Sequence, residues 1–232
     1  MKKHTEPMTC GTFYHIYNRG INGENLFKEP RNYPYFLQRY AHYIQPVAET
    51  YAYCLLKNHF HLLVRLRSAE EVLRNFNVGE VRNPADVRNP ADVRNTAHVR
   101  NPADVTDIET AALKIISNQF AKLFNSYAQA INKAHRRTGG LFENVFRRIP
   151  VDNDAYFVQL VYYIHANPEK HGLVTDFRTY PHSSYRAHLS NLETQLKRGE
   201  LLHWFGSQEE FEQYHLGNLV LAHLDKFEIE VG

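Results

Sequence analysis

The hydrophobic pattern of the chain changes period several times, and each change marks an element. Gly11 to Arg19 alternates well enough for a strand, and Asn18-Arg19-Gly20 with Asn22-Gly23 supplies turn residues after it. Tyr33, Phe36, Leu37, Tyr40 and Ile44 recur at helical spacing, which predicts a helix over Asn32 to Ile44. Two β-preferring runs follow, Thr50 to Leu56 and His59 to Leu66, separated by Lys57-Asn58, a hairpin-length connection. Ser68-Ala69-Glu70-Glu71 then opens a short helix, with a serine in capping position and acids in the first turn.

Further on, Ile108, Ala112, Ile116, Phe120, Leu123, Tyr127 and Ile131 share one face of a long helix. Thr106 and Glu109 match a capping box at its start, and Thr138-Gly139-Gly140 stops it after about His135. Leu141 to Val151 reads as a strand. After the caps Asp152-Asn153-Asp154 a last helix carries Tyr156, Leu160, Tyr163 and Asn167 until Pro168 and Gly172 end it. Strand, helix, strand, strand, helix, strand is the split βαβ order. The expected class is therefore α+β, with a ferredoxin-like antiparallel sheet and packed helices.

Between the two halves the pattern breaks. Val81-Arg82-Asn83-Pro84-Ala85-Asp86 recurs from Val87 and from Val99, with a diverged copy from Val93, and the array closes at Val105. A six-residue period with proline in most copies suits neither a helix nor a buried strand, so residues 81–105 read as an exposed insertion. Val-Arg and Ala-Asp can be encoded by reverse-complementary codons, so the array is also readable as the coding trace of a palindromic DNA repeat. The expected organisation is a domain over residues 1–186, interrupted by this insertion, followed by an acidic helical extension over 187–232.

The net charge of +2 hides an uneven distribution. Thr110 to Pro150 holds seven basic residues against one acid, whereas Ala187 to Gly232 holds three against eight. A basic, aromatic-rich middle is compatible with nucleic acid, because Lys and Arg meet phosphates and rings stack on unpaired bases. Lys57, Arg65, Arg136, Arg137, Arg147 and Arg148 are the candidate phosphate contacts. No apolar run approaches the roughly 20 residues of a membrane span, and the first residues lack a secretory apolar block, so a cytoplasmic protein is expected. Cys10 and Cys54 have no metal-type or redox-type spacing.

Candidate chemistry sits in two stretches. On a strand, His59 and His61 point to one face while Phe60, Leu62 and Val64 point to the other. On the last helix, Tyr163 and Asn167 are four apart and share a face. Brought over the histidines, this pair would add a phenol and an amide oxygen to two imidazoles. A phenol with an ordinary pKa of about 10 is a poor nucleophile unless the group it attacks is positioned and polarised.

With both stretches in view, His59-Phe60-His61 resembles the His-hydrophobic-His motif of the HUH single-strand nucleases. Tyr163-Ile164-His165-Ala166-Asn167-Pro168 resembles the tyrosine helix of the single-tyrosine transposase-like enzymes associated with repetitive extragenic palindromes (REP). The similarity runs from about Gly11 to Tyr185, through Tyr180-Pro181-His182-Ser183-Ser184-Tyr185, and skips the array. It implies a DNA nickase and strand transferase acting on single-stranded or hairpin DNA. His59, His61 and, by position, Asn167 would hold Mg²⁺ or Mn²⁺, and Tyr163 would form a 5′-phosphotyrosine. Relatives of this type commonly carry glutamine where Asn167 stands. Tyr162 is the rival nucleophile. A monomer is expected on this resemblance, with a homodimer as the alternative. Two other readings remain open: a DNA-hairpin-binding protein derived from a transposase that no longer transfers strands, and a metal phosphodiesterase using water. The intact His59, His61, Tyr163 and Asn167 count against decay.

Overall fold

The computed structural model describes residues 7–79, 102–143 and 145–217. Among these, four strands form one antiparallel sheet: β1 (Phe13–Arg19), β2 (Ala48–Leu55), β3 (His59–Leu66) and β4 (Arg147–Val151), in the order β2-β3-β1-β4. This is the ferredoxin-like arrangement that the element order predicts. The helices are α1 (Asn32–Ile44), α2 (Ala69–Gly79), α3 (Pro102–Ala134), α4 (Asp154–Lys170), α5 (Tyr185–Leu189), α6 (Arg198–Phe205) and α7 (Gln208–Gly217).

Strand parity divides the molecule into two cores. Phe60, Leu62, Val64 and Leu66 of β3, with Tyr14 and Ile16 of β1, pack under α1 and α3. The alternate residues face α4, where Tyr51, Cys54 and Leu63 join Phe157, Leu160 and Ile164. A register shift between Thr50 and Ala52 of β2 places Tyr51 and Ala52 in this same second core, as an extra residue in one strand requires. The acidic tail contributes here too, since Leu201 and Phe211 are fully buried in the second core. The β2 edge is covered by the segment around His182: Leu55 N–H donates to the His182 carbonyl, Ser184 N–H to the Tyr53 carbonyl and Tyr53 N–H to Ser184 Oγ. A capped edge cannot pair with another chain.

Local chemistry accounts for the helix ends, with three departures from the sequence pattern. Ser68 and Glu71 close a reciprocal capping box at the start of α2, Ser68 N–H donating to Glu71 Oε2 (3.0 Å) and Glu71 N–H to Ser68 Oγ (3.2 Å). α3 begins at Pro102, so the first departure is that Thr106 lies inside the helix and does not cap it. Proline suits a first-turn position, where its missing N–H costs nothing. The last residues of the hexapeptide array, 102–105, thus belong to α3, while residues 81–101 of it lie outside the described residues.

The second departure is at α4. Asn153 Oδ1 caps its start by accepting from Tyr156 N–H, but Pro168 does not end the helix. The chain continues to Lys170 and stops at Gly172 (φ +65°), with Leu173 N–H closing on the Pro168 carbonyl. Third, the strand expected over Leu141 to Val151 is confined to Arg147–Val151, with Phe142 making an isolated bridge to Gly20. Among the described residues no helix is long and apolar enough to cross a membrane.

Candidate active site

Register places the site before any side chain is considered. In the β1–β3 ladder Tyr17 lies opposite His61 and Arg19 opposite His59, while in the β1–β4 ladder Arg147 lies opposite Tyr17. Directly opposed residues share a face, so Arg147, Tyr17, His61, Arg19 and His59 make one polar patch at one end of the sheet. α4 crosses this face, with Tyr163, Asn167 and His171 following one another at four-residue spacing along its flank.

The two ends of that flank meet the two histidines. The Tyr163 ring stands edge-on to His61 with centroids 5.5 Å apart, and the His171 ring stands 4.8 Å from His59. Asn167 lies one turn from each and is fully buried. Its Nδ2 donates to the Tyr163 carbonyl (2.8 Å), and its Oδ1 meets no donor among the described residues. A buried carbonyl oxygen without a donor is expensive unless a cation or water completes it. Tyr162 points elsewhere, packing against Phe177, Tyr214 and His215.

Each histidine is oriented from behind. His59 Nδ1 lies 2.7 Å from Asn58 Oδ1, which makes Nδ1 the protonated nitrogen and leaves Nε2 with its lone pair. His61 Nδ1 lies 3.0 Å from His15 Nε2, and the two rings stack at 5.2 Å. His15 is fully buried on β1, so an imidazole holds an imidazole. Both strand histidines are neutral. Burial, followed by the neighbouring His171 and Arg19 charges, pushes His59 down to about 3, and burial followed by His59, His15, His171 and Lys170 holds His61 well below the usual range. Neutral rings tied at the far nitrogen are what metal ligation asks for.

A divalent ion fits this donor set in part. Two oriented imidazoles and one amide oxygen without a donor would make an incomplete shell, which suits a hard ion that keeps waters among its ligands, but Asn167 is not among the residues lining the space over the histidines. Among the described residues no three His, Cys, Asp or Glu side chains come together as a metal-holding group, so a closed zinc-type cage is not built here.

The cleft over the patch has a volume of about 110 Å³ and is lined by His59, His61, His171, Arg19, Arg147 and Glu143, among others. Glu143 forms ion pairs with both arginines, Arg19 at 3.5 Å and Arg147 at 3.6 Å. Of the candidate phosphate contacts, the structure brings Arg147 to the histidines and leaves Lys57 exposed on the adjoining turn. Arg65 is held by Glu49 at 2.9 Å further along β3, and Arg137 by Glu24 and Asn132. Arg148 lies 5.4 Å over the Phe146 ring, opposite Ile16 and hence on the other face of the sheet, and Arg136 is exposed beyond the end of α3. His15, Arg19 and His171 escape sequence reasoning. For the first two the missing information is strand pairing. For His171 it is the proline that reads as a stop.

The fold resembles that of a REP-associated tyrosine transposase solved bound to a REP hairpin, with a TM-score of 0.50 and 14% sequence identity, over 84% of this chain and 89% of that one. The likeness is one of fold. No protein-family model matches the sequence, and no curated protein matches it either.

Proposed function

We propose that this chain is a tyrosine-using DNA strand transferase that cleaves and rejoins single-stranded or hairpin DNA. The observation that carries the reading is the Tyr163 ring set edge-on against His61, 5.5 Å between centroids, beside a cleft that holds Arg19 and Arg147. The hairpin to which the structural neighbour is bound supports DNA of that shape as the substrate class. The two motifs that resemble HUH nucleases fall on the strand and helix that meet here.

The chain's residues divide the work. Arg19 and Arg147 receive a phosphate in competition with Glu143, which offsets part of their positive charge in the absence of DNA. Mg²⁺ or Mn²⁺ held by His59, His61 and Asn167 would, when bound, polarise the scissile phosphate. Tyr163 Oη attacks the phosphorus in line as the bond from phosphorus to the 3′ oxygen breaks. The phenolic proton ends on that departing oxygen, leaving a 5′-phosphotyrosine and a free 3′-hydroxyl. Lys170 Nζ, 5.5 Å from the centre of the Tyr163 ring, favours the negative charge that develops as the phenol reacts. Attack by a second 3′-hydroxyl on the phosphotyrosine reverses the step and joins a new strand.

The test is a covalent adduct. Wild-type protein incubated with Mn²⁺ and a labelled hairpin oligonucleotide is expected to give a denaturation-resistant protein-DNA species, which Tyr163→Phe abolishes and Tyr162→Phe leaves intact. Cleavage without an adduct would assign the chemistry to water. Hairpin binding without cleavage would leave a binding protein.

A further inference from the structure

Strand transfer moves a proton from a phenol to a 3′ oxygen and back, and the cleft holds few groups able to carry one. Among the described residues that line it are two guanidiniums, three imidazoles, two amides, the Tyr17 phenol and the Glu143 carboxylate. Guanidiniums keep their protons, amides give none up, and a phenol is a weak acid at neutral pH. His59 and His61 are tied at Nδ1 by Asn58 and His15, and their other nitrogens belong to the ion of the reading above. Burial, followed by the Lys170 charge, disfavours a protonated His171. The carboxylate remains.

Glu143 is fixed at its backbone and loose at its head. Its N–H donates to the Arg19 carbonyl (2.9 Å), and the preceding Phe142 is buried and bridges Gly20. Its half-buried carboxylate stands 3.5 Å from Arg19 and 3.6 Å from Arg147, beyond the roughly 2.7–2.9 Å of a charge-assisted hydrogen bond. Neither guanidinium holds it closely. A phosphate that binds both arginines draws them away and sets an anion beside the carboxylate. A carboxylate that loses cationic partners and gains an anionic neighbour binds a proton more readily. Substrate thus turns an ion-pair partner into a proton carrier. In-line displacement puts the attacking and leaving oxygens on opposite sides of phosphorus, and the two groups come from different elements, Tyr163 from α4 and Glu143 from the chain before β4.

We infer that Glu143 is a catalytic residue that hands a proton to the 3′ oxygen as its bond to phosphorus breaks, and takes one from the 3′-hydroxyl that later attacks the phosphotyrosine. In cleavage the bond from Tyr163 Oη to phosphorus forms, the bond to the 3′ oxygen breaks, and the carboxyl gives its proton to that oxygen. It then recovers the proton that the phenol has lost, so the net transfer is from Tyr163 to the 3′-hydroxyl. Joining runs the same path backwards. The inference rests on the strand-transferase reading above and names the carrier which that reading leaves open.

Single-turnover cleavage by the full chain with Mn²⁺ tests it on two hairpin oligonucleotides, one natural and one with sulfur in place of the 3′ oxygen at the scissile bond. A thiolate leaves without a proton. With protein in saturating excess, so that affinity does not enter, Glu143→Gln is expected to slow adduct formation on the oxygen probe by about a hundredfold and to match wild type on the sulfur probe. Recovery on sulfur also shows that the variant is folded. Joining of an added 3′-hydroxyl strand to the adduct should slow by a similar factor.

Equal losses on both probes overturn the inference, since Glu143 would then place the phosphate or hold the fold. An unchanged rate on the oxygen probe, or joining at the wild-type rate in the variant, also overturns it. If wild-type protein forms no adduct with either probe, the strand-transferase reading falls as well; if wild type forms the adduct and the variant loses equally on both probes, the assignment of Glu143 alone is wrong.

Discussion

Two histidine clusters lie on opposite flanks of α4, and they do different things. On one flank His59, His61 and His171 line a cleft that also holds arginines and an acid, with His15 buried behind His61. On the other, His165, His188 and His215 are sealed in the second core, each with no exposed surface. Two of the sealed three are tied by hydrogen bonds: His165 lies 2.9 Å from His215 Nε2 and 2.8 Å from Ser184 Oγ, and His215 Nδ1 lies 2.8 Å from the Phe211 carbonyl. Imidazoles in a group do not make a site. A site needs ring nitrogens beside a space that a phosphate can enter, and among the described residues the first flank borders such a space whereas the three histidines of the second are fully buried.

The largest test of this contrast removes one group from each flank. Tyr163→Phe is expected to reduce adduct formation to background without moving the thermal midpoint, because a phenylalanine keeps the ring against His61. His215→Ala is expected to do the reverse. It deletes a buried ring and strands His165, costing about 3 kcal/mol, while protein that remains folded still forms the adduct. A stability loss in the first and a chemical loss in the second would merge the two flanks into one unit.

A second contrast concerns how the tail is held. Glu49 of β2 is nearly buried and meets Arg65, Arg67 (3.3 Å) and Lys197 (2.8 Å), the last standing just before α6. Burial alone would raise its carboxyl, but Lys197 and Arg65 outweigh burial and hold it below the usual range. The folded form therefore binds its proton less readily than the unfolded form does. The resulting stability is fully present above the ordinary carboxylate pKa and is lost as pH falls through the lowered folded value. Glu49→Gln is expected to cost about 2 kcal/mol at neutral pH, between the values for exposed and buried pairs. Its urea-unfolding midpoint should also fall less steeply than wild type across the acid range, with parallel curves counting against the clamp.

The smaller of the two chemical tests concerns His15, the imidazole behind His61. His15→Gln is expected to lower adduct formation about tenfold at limiting Mn²⁺, as loss of a group that orients a ligand typically does. Raising the Mn²⁺ concentration should recover most of that rate. A loss that metal does not repair would make His15 a packing residue only.

What the sequence makes legible here is what a single element's period can carry. Parity on β3 separates His59 and His61 from Phe60 and Leu62, and the four-residue spacing on α4 aligns Tyr163 with Asn167, so each half of the candidate site is readable alone. Where the halves meet others, the reading stops. His15 and Arg19 enter through cross-strand register, which no local pattern contains. His171 enters because α4 tolerates Pro168 near its last turn, where few hydrogen bonds remain to lose. The docking of α6 and α7 depends on Leu201 and Phe211 finding the second core, a long-range event that composition alone describes only as an acidic tail.

The smallest effect separates two arginines that sequence alone ranks together. Arg147 lines the cleft with its partner Glu143 at 3.6 Å, whereas Arg65 is committed to Glu49 and lies over the Phe13 ring at 5.9 Å. A phosphate can replace Glu143 without unmaking the core, but drawing Arg65 away would leave the nearly buried Glu49 with one cation fewer. Arg147→Ala is therefore expected to weaken hairpin binding several-fold and to reduce the slope of log affinity against log salt by about one, the signature of one lost phosphate contact. Arg65→Ala should leave that slope unchanged and lower the thermal midpoint instead. Titrations of both variants over a range of salt concentrations decide the matter, and a slope that falls equally in the two would place DNA along the whole of β3 and not at the histidine end alone.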